Sequence, residues 1–451
     1  MKKQNMKRPL MVAAALLAVG ACEPDFTVPN LNNPSAGGDA TVSSVLVNAQ
    51  GLMSTSRSLT TQGITSQGMW GRESYTLAPQ EPRPYVDNLI GPRDPSSFGV
   101  TFFGTNYSAL ADIESLLASL EVVEGLSDAE KEAIRGWAKT VEAFSYFQLA
   151  VHHQDFGAPI DAPDDPTGEL APLASSAELY ERALNLFDEG QAHLQAAGST
   201  FPFQLTAGYA PFNTPAAFIE VNRALKARTL KYMGRWNDVL TALEGSFIDA
   251  TADLGLGVYH TYSLADGNSN PFANDDTDYL HPRFLAGAQD KPDGTPDDRA
   301  LEKAEPITPV TVFDVTVSEV PTIYPDPESP FPWITNEELL LLRAEARLAT
   351  GDVPGALADV NVVRTEAGGL APLASVASDE ALLDEILYNK FYSLIWEGGF
   401  TILDAMQYDR IDELPRSLPE HVVFTKMNYP ANECLARDLT DGACGIITGI
   451  P

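Results

Sequence analysis

Positive charge is scarce in this chain. Twenty-nine Lys and Arg stand against 62 Asp and Glu, a formal net charge of −33 over 451 residues. A field of that sign repels phosphate backbones and anionic lipid surfaces, which excludes nucleic acid as a ligand. The acidity names no ligand of its own, since it mainly keeps a surface solvated. Long hydrophobic runs are missing too. The most apolar stretch, at 10–19, falls far short of the roughly 20 residues a membrane-crossing helix needs. Catalytic signatures are absent: there is no HExxH, GxSxG, GxxxxGK or GxGxxG. The adjacent pair His152 and His153 would point about 100° apart on a helix, which suits a helix end better than a shared metal. The many acids leave a glycosidase pair undefined, because two carboxylates need a fixed separation across a cleft.

Cysteine is nearly missing as well, at three residues, and each has a distinct context. Lys2, Lys3, Lys7 and Arg8 precede the apolar run, and Val19-Gly20-Ala21-Cys22 follows it. A basic start, a short apolar core and small residues before a cysteine read as a lipoprotein signal peptide at 1–21, with Cys22 as the lipid-modified N-terminus. An ordinary signal peptide that happens to contain a cysteine is the alternative. Pro24, Pro29 and several Asn make 22–40 an extended polar tether. The expected protein is anchored to a membrane by lipid and folded in water. Cys434 and Cys444 remain, with only a short loop between them. In an exported chain this pair is expected to form a disulfide. No His or further Cys lies nearby to complete a tetrahedral metal site.

Helical periodicity dominates the rest. Ser127 and Glu130 form a capping box, after which Ile134, Trp137, Val141, Phe144 and Val151 mark one apolar face. Further amphipathic stretches cover 177–197, 216–233, 236–243, 336–349, 354–366 and 379–396, with Thr335 and Glu338 as a second capping box. Two turns share a spacing. Ala344 precedes Gly351 by seven residues and Ala356 follows by five; Ala227 and Val239 flank Gly234 identically. Small residues there allow two antiparallel helices to approach closely, as in a tetratricopeptide repeat. The fold class expected is mainly α, tetratricopeptide-like helical hairpins with long irregular insertions and a few short strands, in a single domain at 41–451.

The insertions lie near 63–98 and 261–332 and are rich in Gly, Pro, Asp and Asn. Long loops on a packed scaffold tend to carry function. They hold Trp70, Tyr75 and Tyr85, with Arg72 and Asn88 beside them, and Tyr279 in the second. Aromatic faces stack on sugar rings while polar neighbours bond hydroxyls, so these six are the candidate ligand-binding residues. The competing reading is that the rings pin the loops to the helices. Val310, Val312 and Phe313 suggest a short edge strand within 306–321. A loose structural calcium site at Asp275, Asp276 and Asp278 is conceivable, but the run from Asp266 lacks the glycine and the final acid of an EF-hand. No cofactor is expected.

Several runs carry a resemblance. They are Gly136-Trp137-Ala138, Phe144 to Leu149, Phe156-Gly157-Ala158-Pro159, and Asn222 to Arg228 with Gly234-Arg235-Trp236. The most specific is Glu338 to Arg364 followed by Ala367-Gly368-Gly369-Leu370. Trp396-Glu397-Gly398 with Asp404, and Tyr429-Pro430-Ala431-Asn432-Glu433, complete the set. Together with Cys22 and its tether, these resemble the SusD/RagB family of outer-membrane nutrient-binding lipoproteins over nearly the whole chain. Asn389-Lys390 stands where the family pattern has Glu-Arg, and the usual Arg after the following glycine is missing. The resemblance implies a non-enzymatic, lipid-anchored protein of the outer membrane, facing the cell exterior. It would act as the lid of a TonB-dependent (SusC-like) transporter and capture oligosaccharides or other nutrients. Two other readings compete: an envelope scaffold whose hairpin grooves take peptides or proteins, and a glycan-cleaving enzyme on a helical scaffold.

Overall fold

The computed structural model describes residues 40–160, 169–273 and 276–451. The leader, Cys22, the tether up to residue 39 and Asp275 lie outside these residues. Twelve helices of seven or more residues lie among the described residues, the last at Ala431–Arg437, and the other eleven build the scaffold. They begin with α1 (Val42–Thr61), α2 (Ile64–Trp70), α3 (Phe102–Val122), α4 (Asp128–His153), α5 (Ser176–Ala196), α6 (Pro215–Tyr232) and α7 (Trp236–Glu244). They continue with α8 (Asn336–Ala349), α9 (Val353–Glu366), α10 (Asp379–Ser393) and α11 (Phe400–Gln407). Short strands occupy the connections: β1 (Ser74–Thr76), β2 (Gly257–His260), β3 (Asp278–Leu280), β4 (Ala304–Val312), β5 (Val315–Pro321) and β6 (Phe331–Thr335).

The longest helix, α4, is the axis of the core. Both halves of the Ser127–Glu130 capping box are formed, which satisfies two of the free N–H groups at its start. Its apolar face, Ile134, Trp137, Val141, Phe144 and Val151, is wholly buried. Trp137 donates Nε1–H to the Ala49 carbonyl of α1 at 2.9 Å and meets Trp333 of β6 edge-on at 6.4 Å. One apolar cluster around these rings runs from Val45 to Cys444. Burying each large ring contributes on the order of 2–3 kcal/mol before entropy is counted.

The two spaced turns are tight helical hairpins, α6–α7 and α8–α9. Ala227, Val239, Ala344 and Ala356 are fully buried at the helix contacts. Gly234 and Gly351 take φ of +67° and +87°, the left-handed region where a side chain would be strained. Charged side chains tie the hairpins together. Arg228 of α6 forks onto the Glu338 carboxylate of α8. That engagement corrects the second capping box. Thr335 still accepts the Glu338 N–H at 3.4 Å, but the Glu338 carboxylate is held by Arg228 and does not return to Thr335.

Deeper still, four helices each contribute one charge to a buried square. Lys231 of α6 and Lys390 of α10 alternate with Glu345 of α8 and Asp404 of α11. Lys390 lies 2.6 Å from Glu345 and 2.7 Å from Asp404, and the Tyr408 hydroxyl donates to Glu345 at 2.6 Å. Burial alone would raise the Asp404 carboxyl, but the two ammonium groups outweigh it and hold the group below its usual value.

The insertions are more ordered than their composition implies. The first holds α2, β1 and a π-helical turn at Val86–Ile90. The second holds short helices at Arg283–Ala286 and Asp298–Lys303. The edge strand expected within 306–321 is a complete antiparallel hairpin, β4–β5, with Phe313 in its turn and outside the strands. At the C-terminus, Cys434 and Cys444 are disulfide-bonded with Cα atoms 5.5 Å apart. Opening this loop, by Cys434→Ser with Cys444→Ser, is expected to lower stability by about 2–3 kcal/mol in the chain-entropy account. Unreduced peptide mass spectrometry with parallel denaturant melts checks it; two free thiols in fresh protein would contradict it.

Candidate functional site

The two insertions meet. Strand β1 of the first pairs antiparallel with β3 of the second, placing Tyr75 opposite Tyr279. Thr76 Oγ1 donates to Asp278, and Leu77 N–H reaches the Thr277 carbonyl at 2.8 Å. Hairpin β4–β5 packs beside β3, with Val315 and Val317 buried against Tyr75 and Tyr85. One apolar cluster thus holds segments of both insertions together.

Five of the six candidate residues lie inside this assembly, which corrects the expectation that they face a ligand. Trp70, Arg72, Tyr75, Tyr85 and Asn88 are each 3% exposed or less. Their polar atoms serve the protein. Trp70 Nε1 donates to Asn88 Oδ1 at 3.0 Å, which also accepts Arg93 Nη1 at 2.8 Å. Arg72 donates to the carbonyls of Met69, Trp70, Pro415 and Val422, and burial pulls its pKa down to about 10. The Tyr75 hydroxyl meets Ser417 Oγ at 2.5 Å, and its ring lies 5.0 Å from His281. The Tyr85 hydroxyl meets His421 Nε2 at 3.1 Å and donates to the Phe313 carbonyl at 3.2 Å. Burial pushes Tyr85 up to about 12 and His421 down to about 4, so these two groups are neutral at physiological pH while the Arg72 guanidinium keeps its charge. Rings read as a stacking surface are the rigid floor beneath one.

The surface above that floor is carried by Tyr279 and Phe313. Tyr279 is half-buried against the cluster, its hydroxyl donating to the Asp276 carbonyl at 3.2 Å. Phe313 is also half-buried, its ring stacked on Tyr85 at 4.7 Å with a 16° interplanar angle. Phe313 and Asp314 form the two-residue turn of β4–β5 with φ of +51° and +61°. Such turns ordinarily use Asn or Gly, because a bulky side chain is strained there by about 1–2 kcal/mol. Phe313 is thus a strained, half-buried aromatic at the surface of the layer. Sequence reading missed it as a turn, since Val312-Phe313-Asp314-Val315 carries neither Gly nor Asn.

Other groups singled out in the sequence are accounted for by packing. His152 and His153 end α4, with Nδ1 atoms at the carbonyls of Gln148 (2.7 Å) and Met427 (3.1 Å). Burial lowers them to about 3 and about 4 respectively. Asp276 is exposed and Asp278 is buried against Thr76. Among the described residues no group of three or more His, Cys, Asp or Glu is placed to hold a metal ion.

Helical hairpins whose two long insertions pair into one apolar layer define the architecture. By sequence, no family model and no curated protein matches the chain. Solved structures do. A SusD superfamily protein from Bacteroides vulgatus superposes with a TM-score of 0.64 at 15% identity, covering 82% of this chain and 88% of its own. A SusD-like carbohydrate binding protein from the same organism gives 0.58 at 18% identity over 82% and 83%. Surface glycan-binding protein A from Bacteroides uniformis gives 0.65 at 14% identity over 90% and 98%. The chain therefore has the SusD fold, mainly α with few short strands, as its sequence motifs imply.

Proposed function

We propose that this protein is a cell-surface nutrient-binding lipoprotein. It captures an uncharged or weakly charged oligosaccharide on the Tyr279–Phe313 face, without turnover, as the lid partner of a TonB-dependent outer-membrane transporter. The observation that carries the reading is the pair of half-buried rings on a rigid apolar layer, built where the two insertions meet. They sit on the fold shared with a surface glycan-binding protein and a SusD-like carbohydrate binding protein. Ring faces supply stacking area to sugars at low entropy cost. The acidic chain disfavours polyanions.

Calorimetry with neutral oligosaccharides tests the face. Tyr279→Ala should cost about 1–2 kcal/mol of binding, or up to about thirty-fold in affinity. Phe313→Asn is the sharper variant, because Asn accepts the turn's left-handed backbone. It should weaken binding by a similar factor and keep stability within about 1 kcal/mol of wild type. The opposite pattern, a lowered thermal midpoint with affinity intact, would mean that the rings only pack. Release of a reducing end would establish an enzyme instead.

Anchoring belongs to Cys22, with 22–40 as tether and 41–451 as one folded unit. No helix among the described residues is long and apolar enough to cross a membrane. Cys22→Ala is expected to release a folded protein from the membrane fraction and to lose acyl label. Equal membrane retention with no label in either form would remove the lipoprotein from the proposal. Co-purification with a TonB-dependent barrel, and protease access on intact cells, test the partner and the outward face.

A further inference from the structure

Away from the aromatic face, helices α10 and α11 and the second insertion enclose a cleft of about 320 Å³. This is the small end of ligand pockets, with room for about one sugar ring and not for a chain. Tyr388 and Phe391 of α10, Leu387, Thr401 and Arg283 line it.

Arg283 is the informative residue. Its Nε and Nη2 donate to the Arg72 and Gly71 carbonyls at 2.9 and 2.7 Å, fixing the side chain against the first insertion. Its guanidinium lies over the Phe391 ring, 4.3 Å from the centroid. Among the described residues, Nη1 and the second Nη2 hydrogen make no hydrogen bond and no carboxylate lies within 4 Å. The other arginines lining clefts among the described residues, Arg182, Arg223, Arg228, Arg235 and Arg410, each hold an acid within that distance. Burial lowers the Arg283 pKa only to about 10, so the group is charged at neutral pH.

The nearby acids make no ion pair with Arg283 within 4 Å, although Glu73 attracts its charge from farther off. Glu73 accepts the N–H groups of Trp396 (3.1 Å) and Thr401 (3.4 Å), and Asp404 is shared by Lys231 and Lys390. Glu413 is exposed at the mouth, 3.8 Å from Arg410. A half-buried, rigidly held guanidinium with one open edge matches the two oxygens of a carboxylate, and the rings beside it match a ring-shaped body. We propose that this cleft is a second binding site, taking a single sugar-sized ring that carries a carboxylate, with Arg283 as the carboxylate anchor and Phe391 and Tyr388 as the ring contacts.

Titration of the full-length protein with galacturonate and with galactose tests it. Galacturonate should bind, and galactose at least about ten-fold more weakly, since a buried charge-assisted bond is lost. Leu387→Trp, which fills the cleft and leaves Arg283 and its carbonyl bonds in place, should abolish galacturonate binding. Arg283→Lys, which keeps the charge and loses the planar fork, should weaken it at least about ten-fold. Phe313→Asn should leave it unchanged, which separates this site from the aromatic face. Three results would each overturn the assignment: no binding of galacturonate by the wild type at millimolar concentration, equal affinity for both sugars, or wild-type binding by Leu387→Trp.

Discussion

Asp404→Asn is expected to destabilise the protein by about 3–5 kcal/mol, the cost of leaving buried charge without its partner. The substitution is nearly isosteric, so little of the loss is packing. Lys231 and Lys390 would then share Glu345 alone, at side-chain exposures of 1% and 6% for the two lysines. Because each corner of the square belongs to a different helix, the loss should appear as one cooperative shift in denaturant midpoint. The pH dependence has a defined sign. Asp404 is held below its unfolded value of about 3.9, so its contribution is full above that pH and disappears as pH falls through the folded value. The variant should accordingly converge on wild type in strong acid. Replacing all four residues by apolar side chains of matched size should cost far less than Asp404→Asn, since no charge is then stranded. A stability for Asp404→Asn within about 1 kcal/mol of wild type at neutral pH would refute the square as a structural element.

Trp70→Ala should cost about 3–5 kcal/mol as a large-to-small core change. The ring is 1% exposed, with Arg93 over it at 5.3 Å and Phe424 at 6.3 Å. Its removal leaves a cavity under the first insertion, while Asn88 Oδ1 keeps its bond from Arg93. Ligand affinity, measured well below the thermal midpoint, should change by no more than about two-fold, because Trp70 touches no open surface. Tyr279→Ala should do the reverse. If Trp70→Ala kept its midpoint and lost binding, the ring would have to reach the ligand after all.

The helical frame was legible because its signals are local. The Ser127–Glu130 box starts α4, and the seven-and-five spacing around Gly234 and Gly351 places two hairpins. One departure from the resembled pattern has a structural role, since Lys390 pairs with Asp404 in the buried square. Four of the labelled helices escaped, the long α1 and α3 and the short α2 and α11. Helix α3 carries a regular buried face, Phe102, Ala109, Ile113, Leu116 and Leu120 with Asn106 among them, that periodicity could have revealed. Helix α1 is rich in Ser and Thr, which favour caps and turns over helix interiors, and tertiary packing overrides that preference. The site was legible only as a composition. Nothing local distinguishes Tyr75 from Tyr279, yet His281, His421 and Ser417 pack on Tyr75 and bury it while Tyr279 opposite stays half-open. Phe313 was hidden for the opposite reason: its turn breaks the residue preferences by which such turns are read.

The pairing of β1 with β3 joins residues about two hundred positions apart, Thr76 to Asp278 among them. Closing so large a loop is entropically unfavourable until the intervening helices have packed, so this contact belongs to the last steps of folding. The aromatic face is therefore expected to form only once the intervening helices α3 to α7 have assembled. A nick or insertion in either loop should silence binding while the helical signal persists. Occupancy of the proposed ligand face would then report that the whole polypeptide has reached its native state, which would make affinity there an assay of correct folding.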